Sequence, residues 1–389
     1  MKLLCERTMT CLRFGLCLLA LALPGALGCS EDSGDTSTIH SSTTGSGGSG
    51  AAGGAGGAGG EPIEAPADTW TWVPFADSMC GTGTPTGIGI HPTTGSTRLL
   101  IYLQGGGVCI DQQSCLGPMP SASHFNGFGP AEFDEFKIMG GAHGPFDQAD
   151  TQNPFREFSY VFVPYCTGDV HAGNMTSPEG LNFVGHANLE AFLNRIVPTF
   201  PALDQVVLTG TSAGGFGAMY NFYMVQNAFE PVPAVLIDDS GPFLPLSATP
   251  QLLALKFLFG LDGTIPPGCD ACLDDSLPDA GLHQLIPYYA QTFPGHRGSL
   301  ISSLQDQTIV GNFNMQPAEL EAALNTLADN TVPQNPDFRV YYLTGNHHVW
   351  LFGGDVGDTL SDVVSSNVTL AEFLRQQIEG DAAWASVRP

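Results

Sequence analysis

Val206-Val207-Leu208-Thr209-Gly210-Thr211-Ser212-Ala213-Gly214-Gly215 is the stretch on which the fold turns. Its first half is a short β-branched, apolar run, the composition of a strand covered on both faces. Its second half is Gly-x-Ser-x-Gly, and Phe216 to Asn227 beyond it suits a helix. A serine on so tight a strand-to-helix turn sits in strained backbone, where side chains two before and two after would collide; glycines stand at both places. The arrangement is that of a nucleophile elbow, with Ser212 as the candidate nucleophile. In a chain with 49 glycines the motif carries little weight alone, and the strand before it and helix after it give it meaning.

Working outward, short apolar runs alternate with longer helical patterns. Leu99–Leu103, Tyr160–Pro164, Ala234–Ile237, Leu300–Leu304 and Val340–Leu343 read as further buried strands. Helical periodicity runs from about Leu181 to Ile196 and from Pro317 to Ala328. This alternation predicts an α/β fold with a mostly parallel sheet and helices on both faces, of the α/β-hydrolase type. The proline-rich segment 241–297 interrupts the pattern and is expected to form a lid. No internal repeat is present.

An elbow serine needs a base and an orienting acid, which follow it in the order Ser, Asp or Glu, His. His347 and His348 come just after the strand Val340–Leu343, and His348 is the expected base. Asp306 follows the strand Leu300–Leu304, one strand before the histidines, and is the expected acid. Asp238 and Asp239 are the rivals; they read as caps of the turn Ser240-Gly241-Pro242. Asp262 and Asp270, in the expected lid, are weaker candidates. The oxyanion of an acyl-transfer intermediate needs backbone N–H donors: Ala213 after the serine, and the Gly105-Gly106-Gly107 loop after the strand ending at Leu103. A phosphate-binding reading of that loop fails, because no Gly-Lys-Ser/Thr follows it.

The 389 residues, 43% hydrophobic and 13% charged, suffice for one large core. A formal net charge of −26 excludes nucleic acid as a partner, since phosphate binding needs clustered Lys and Arg. Residues 1–28 read as a signal peptide, with Lys2, Arg7 and Arg13 ahead of the apolar run Phe14–Leu23. Ala26-Leu27-Gly28-Cys29 is similar to a bacterial lipobox, which makes Cys29 the expected lipidation site. Residues 29–68 hold a Gly/Ala/Ser tract that cannot bury a core; as a flexible tether of about 40 residues it would span on the order of 35 Å. The catalytic domain is expected over 69–389. Six cysteines remain in it, an even number suited to disulfides in an exported chain, and Cys269-x-x-Cys272 reads as a local bridge. No zinc ligands accompany that pair, and neither metal nor cofactor is expected.

Four separated motifs then carry a family resemblance: Gly105-Gly-Gly-Val-Cys-Ile-Asp111 with Cys115, Pro164-Tyr-Cys-Thr-Gly-Asp-Val-His171, Gly210-Thr-Ser-Ala-Gly-Gly215 and Asp239-Ser-Gly241. In this order, over roughly Trp70 to Phe352, the chain resembles the pectin acetylesterase and Notum family of carboxylic ester hydrolases. The resemblance implies a triad of Ser212, Asp306 and His348, with oxyanion donors at Gly106, Gly107 and Ala213. It also implies the disulfides Cys109–Cys115 and Cys80–Cys166, leaving Cys269–Cys272. Val108 departs from the pattern, since many relatives carry an aromatic residue there. Asp169 and His171 either line the substrate cleft or brace their loop. His124, His143, His186, His283 and His296 lack ligand spacing and read as structural, and Trp350 as packing for the base's loop.

The expected function is an exported serine carboxylesterase that deacetylates an extracellular polysaccharide, from the cell surface or outer membrane if Cys29 is acylated. Longer acyl esters or polyesters are the alternative substrates, and a non-catalytic surface binding module is the reading from another class. The acidic surface would disfavour heavily demethylated pectin, which makes neutral acetylated glycans at least as plausible a substrate as pectin.

Overall fold

The computed structural model describes residues 60–389 apart from 246–255, 275 and 278. The expected signal peptide, Cys29, the tether as far as residue 59 and the middle of the expected lid lie outside the described residues.

Eight strands form one sheet in the order β1-β2-β4-β3-β7-β8-β9-β10. These are β1 Thr71–Met79, β2 Pro85–His91, β3 Arg98–Leu103, β4 Ser159–Val163, β7 Gln205–Thr211, β8 Ala234–Asp239, β9 Gly298–Ser303 and β10 Phe338–Leu343. A separate two-residue ribbon pairs β5 Met175–Thr176 with β6 Asn182–Phe183. From β4 to β10 the main sheet is parallel, and β1 and β2 extend it antiparallel. The fold is of the α/β-hydrolase type, as the alternating pattern implies.

Side chains alternate across the parallel strands and feed two cores. Leu99, Ile101 and Leu103 of β3 pack on one face with Phe192 and Phe222, from helices α3 (Gly185–Thr199) and α4 (Ala213–Phe229). Leu100 and Tyr102 face the other way, toward Phe133 of helix α2 (Pro130–Met139) and Phe373 of the C-terminal helix Leu370–Ile378. A five-residue helix α1, Gln112–Leu116, follows the glycine loop.

Some boundaries differ from expectation for local reasons. Helix α3 starts at Gly185 instead of Leu181, because Asn182 and Phe183 are taken by the ribbon. Helix α4 starts at Ala213, directly after the serine. Part of the expected lid is core: Leu282, Leu285, Ile286 and Tyr289 are buried, and Tyr289 Oη donates to the Met219 carbonyl of α4 at 2.7 Å. The six cysteines form Cys80–Cys166, Cys109–Cys115 and Cys269–Cys272, the pairing the resemblance implies and one suited to an oxidising compartment.

Candidate active site

The carboxyl ends of β3, β7, β8, β9 and β10 converge on one rim of the sheet, where open α/β sheets bind their ligands. Ser212 has φ 57° and ψ −121°, a conformation that non-glycine residues adopt at a cost of about 1–3 kcal/mol. Surrounding close packing enforces it. A Cβ on Gly214 would run into the Leu103 carbonyl, and one on Gly210 would come within 2.6 Å of the same oxygen. The Ser212 amide donates to the Asp239 carbonyl at 2.7 Å, tying the elbow to the neighbouring strand end.

Register places the glycine loop beside the elbow. Leu103 of β3 pairs with Gly210 of β7, so Gly105 and Ser212 each lie two residues beyond the same rung. A Cβ on Gly105 would stand 3.0 Å from Ser212 Cβ and collide with the Thr211 carbonyl. Among the described residues, the N–H groups of Gly105, Gly106 and Gly107 meet no protein acceptor, whereas the carbonyls of Gly106 and Gly107 are engaged by Ser123 N at 2.8 Å and Tyr165 Oη at 2.9 Å. Free donors beside a serine are what a developing oxyanion requires.

Asp306 is fully buried at the start of the helix Gln307–Asn312. Its Oδ1 accepts the amides of Thr308 and Ile309 at 2.9 and 3.0 Å, and its Oδ2 lies 2.6 Å from His348 Nδ1. Backbone bonds from Gln305 N to Gly345 O and from Gln307 N to Asn346 O, both 3.1 Å, set the two loops in register. With Nδ1 donating to the carboxylate, Nε2 carries the lone pair. That nitrogen is buried and has no partner among the described residues. His347 turns elsewhere, its ring 4.6 Å from that of Trp350.

The rival acids have other occupations. Asp239 Oδ2 accepts the amides of Trp350 and Leu351 at 2.7 and 2.8 Å, and Ser240 Oγ accepts the Val349 amide at 3.2 Å. Together they clamp the three residues after His348, with Val349 and Ser240 both at positive φ. Burial pushes the Asp239 carboxyl up to about 6, against these amide bonds, which lower it. Asp238 accepts Gly241 N at 2.9 Å, and burial drives its carboxyl well above the ordinary range. Asp262 pairs with Lys256 at 3.3 Å, and Asp270 opens the one-turn helix Asp270–Leu273.

Asp169 and His171 are both buried in the loop after β4. Asp169 accepts from Thr167 Oγ1 at 2.6 Å, Gly185 N at 2.7 Å and His171 N at 3.1 Å; His171 Nε2 reaches the Gln104 carbonyl at 2.8 Å. Of the two roles open to them in the sequence, these bonds describe bracing. Burial holds the Asp169 carboxyl up at about 6 and His171 down at about 4. The clamp by Asp239 and Ser240 was not anticipated, although Asp239-Ser240-Gly241 stands out in the sequence as a motif.

An elbow serine between β7 and α4, with a glycine loop at its side and a histidine–carboxylate pair on the same rim, defines a protein of the α/β-hydrolase class. The pectinacetylesterase family model matches residues 70–259. The chain is similar to palmitoleoyl-protein carboxylesterase notum2 of Xenopus laevis, 29% identical over 182 residues, which cover 42% of this chain and 35% of that protein. It is also similar to the palmitoleoyl-protein carboxylesterases NOTUM of Homo sapiens, 26% identical over 42% of this chain and 34% of that one, and of Drosophila melanogaster, 25% identical over 42% and 26%. These matches support the pectin acetylesterase and Notum family for this chain. It spans about a third of the length of the curated relatives it matches. The family model ends before Asp306 and His348, so those two rest on geometry.

Proposed function

We propose that this protein is an exported serine carboxylesterase that removes O-acetyl groups from an extracellular polysaccharide. Ser212 Oγ attacks the acetyl carbonyl as His348 Nε2 takes its proton, and Asp306 holds the imidazole in the tautomer that makes this possible. The carbonyl oxygen becomes an oxyanion facing the N–H groups of Gly106, Gly107 and Ala213. Collapse expels the sugar hydroxyl, which leaves with the proton from His348. A water activated by the same nitrogen then releases acetate and restores the serine.

The observation that carries the reading is the His348–Asp306 contact at 2.6 Å, with Nε2 buried and unpartnered on the rim that also holds the Ser212 elbow. Its test is labelling by a fluorophosphonate, followed by acetate release from a panel of acetylated glycans. Labelling at Ser212 is expected in wild type and absent in Ser212→Ala; an unlabelled wild type supports the binding-module reading instead. Longer acyl esters are the second substrate reading, favoured by the palmitoleoyl-protein substrate in the relatives' names. Chain-length profiling on p-nitrophenyl esters separates the two.

We place the site on a tether, with residues 1–28 as the signal peptide and Cys29 acylated. Cys29→Ser should then release the protein from the membrane fraction without altering kcat/KM on a soluble ester; a wild-type protein found wholly soluble refutes the anchor.

A further inference from the structure

The glycine loop can catalyse only if its peptide groups show N–H, and not C=O, to the substrate's oxygen. Nothing in three successive glycines enforces that choice, because glycine lets a peptide plane rotate over with little steric penalty. A carbonyl turned inward would repel the oxyanion that the loop is meant to receive.

The structure supplies the enforcement from the far side of the loop. His171 Nε2 donates to the Gln104 carbonyl at 2.8 Å, and Tyr165 Oη donates to the Gly107 carbonyl at 2.9 Å. Both side chains are buried, with ring centroids 4.8 Å apart. Because the peptide bond is trans, C=O and N–H point in opposite directions. Holding the Gln104 oxygen against His171 therefore sends the Gly105 N–H to the other side, where Gly105 meets Thr211 and Ser212.

His171 is itself held with unusual firmness. Val170 and His171 are consecutive non-glycine residues at positive φ, 52° and 58°, a conformation that persists only where the surroundings over-determine it. Here Asp169 takes the His171 amide, Asn221 Nδ2 of α4 donates to the His171 carbonyl at 2.8 Å, and Tyr165 Oη accepts the Val170 amide at 2.8 Å. Gly217 of α4 has no room for a Cβ, which would stand 2.8 Å from His171 Cβ. The helix that begins just after Ser212 thus braces the histidine that sets the loop opposite it.

We propose that His171, acting with Tyr165, is a positioning residue for the oxyanion loop: the two side chains pin the Gln104 and Gly107 carbonyls, which flank the Gly105–Gly106 and Gly106–Gly107 peptides, and so hold the Gly106 and Gly107 N–H groups toward the reacting ester. This rests on the serine-esterase reading above. The test compares His171→Leu, which removes the donor, with His171→Gln, which returns an N–H at similar reach, and with Tyr165→Phe. Each is measured on a small acetyl ester and against a trifluoromethyl ketone that forms an oxyanion on the serine. His171→Leu should lower kcat ~10- to 100-fold with KM within about threefold, and weaken the ketone in parallel, since the lost interaction belongs to the transition state. His171→Gln should recover most of both.

Full kcat in His171→Leu, or a loss that falls on KM with ketone affinity unchanged, overturns the proposal while leaving the esterase reading intact. Should His171→Leu not fold, Tyr165→Phe decides: a kcat loss in step with ketone affinity supports the brace, and unchanged kcat overturns it. A wild type that fluorophosphonate does not label at Ser212 would instead overturn the esterase reading, and this proposal with it.

Discussion

The carboxylate of Asp239 lies 2.7 Å from the amide nitrogen of Trp350, two residues beyond His348, while its main-chain carbonyl takes the amide of Ser212. One residue at the end of β8 therefore ties the loop that holds His348 to the turn that holds Ser212. Asp239→Asn leaves one side-chain oxygen where two faced amides and the Ser240 hydroxyl, so we expect a stability loss of about 1–3 kcal/mol and roughly a tenfold drop in kcat as the loop loosens. Asp306→Asn should lower kcat by about 10⁴-fold, because the histidine is then held in the wrong tautomer. Denaturant titration and ester kinetics on both variants check this, and a larger kcat loss at Asp239 would make it the acid.

Strain at Ser212 predicts an unusual ranking. Ser212→Ala should abolish turnover and leave stability near wild type, since alanine inherits the same φ of 57°. Ser212→Gly should be equally inactive but more stable, by about 1 kcal/mol, because glycine adopts that backbone freely. Thermal melts of the three proteins suffice; a glycine variant no more stable than alanine removes strain from the account.

The contact of Gly105 with the elbow predicts a second sensitivity. Gly105→Ala places a methyl group 3.0 Å from Ser212 Cβ and against the Thr211 carbonyl, so the serine or the loop must shift. A displacement of that order is expected to lower kcat by about 100-fold. Gly311→Ala is the control, since its Cβ would point into open space; full activity is expected there.

The disulfides should differ in weight. Cys80–Cys166 closes a loop of 86 residues and Cys109–Cys115 one of 6. On the chain-entropy account, opening the first costs about 4–5 kcal/mol and the second about 2 kcal/mol. Paired Cys→Ser replacements, compared by denaturant unfolding, test the order, and the reverse order would refute it.

Acid sensitivity should depend on His171. Its imidazole is neutral in the fold, held down at about 4 by burial against an ordinary value of 6.5. The unfolded chain binds that proton first, so the stability it contributes is complete above pH 6.5 and is lost as pH falls toward 4. Asp169 and Asp239, raised to about 6 by burial, act in the opposite sense: the fold binds their protons first, and their contribution grows as pH falls through 6 toward 4. Replacing His171 by Gln removes the first effect and leaves the other two. Tm measured from pH 7.5 to 4.5 should therefore fall less in the variant than in wild type, and parallel curves would falsify this assignment.

The parallel strands were legible because helices cover both faces, which makes each strand a continuous apolar run. β1 and β2 were not. β1 carries Pro74, and in β2 a Cβ on Gly87 would strike the Val73 carbonyl while one on Gly89 would strike the Phe133 ring. Glycines required by close packing look in sequence like glycines that make loops. The strand-to-helix elbow at Ser212 was legible because its motif is local, and the meeting of Asp306 with His348 because each follows a strand. The clamp at Asp239 spans 111 residues and the His171 bond to Gln104 spans 67, distances over which a single sequence carries no contact information.

Asp306 spends one oxygen on the first amides of a helix and the other on His348. Catalytic side chains are ordinarily a burden on the folded state, so variants bred for heat resistance tend to discard them. Here the same carboxylate caps a helix, and a population selected for thermal endurance alone, never asked to turn over a substrate, would still keep that aspartate. On the proposed mechanism, selection for endurance and selection for turnover act on one carboxylate.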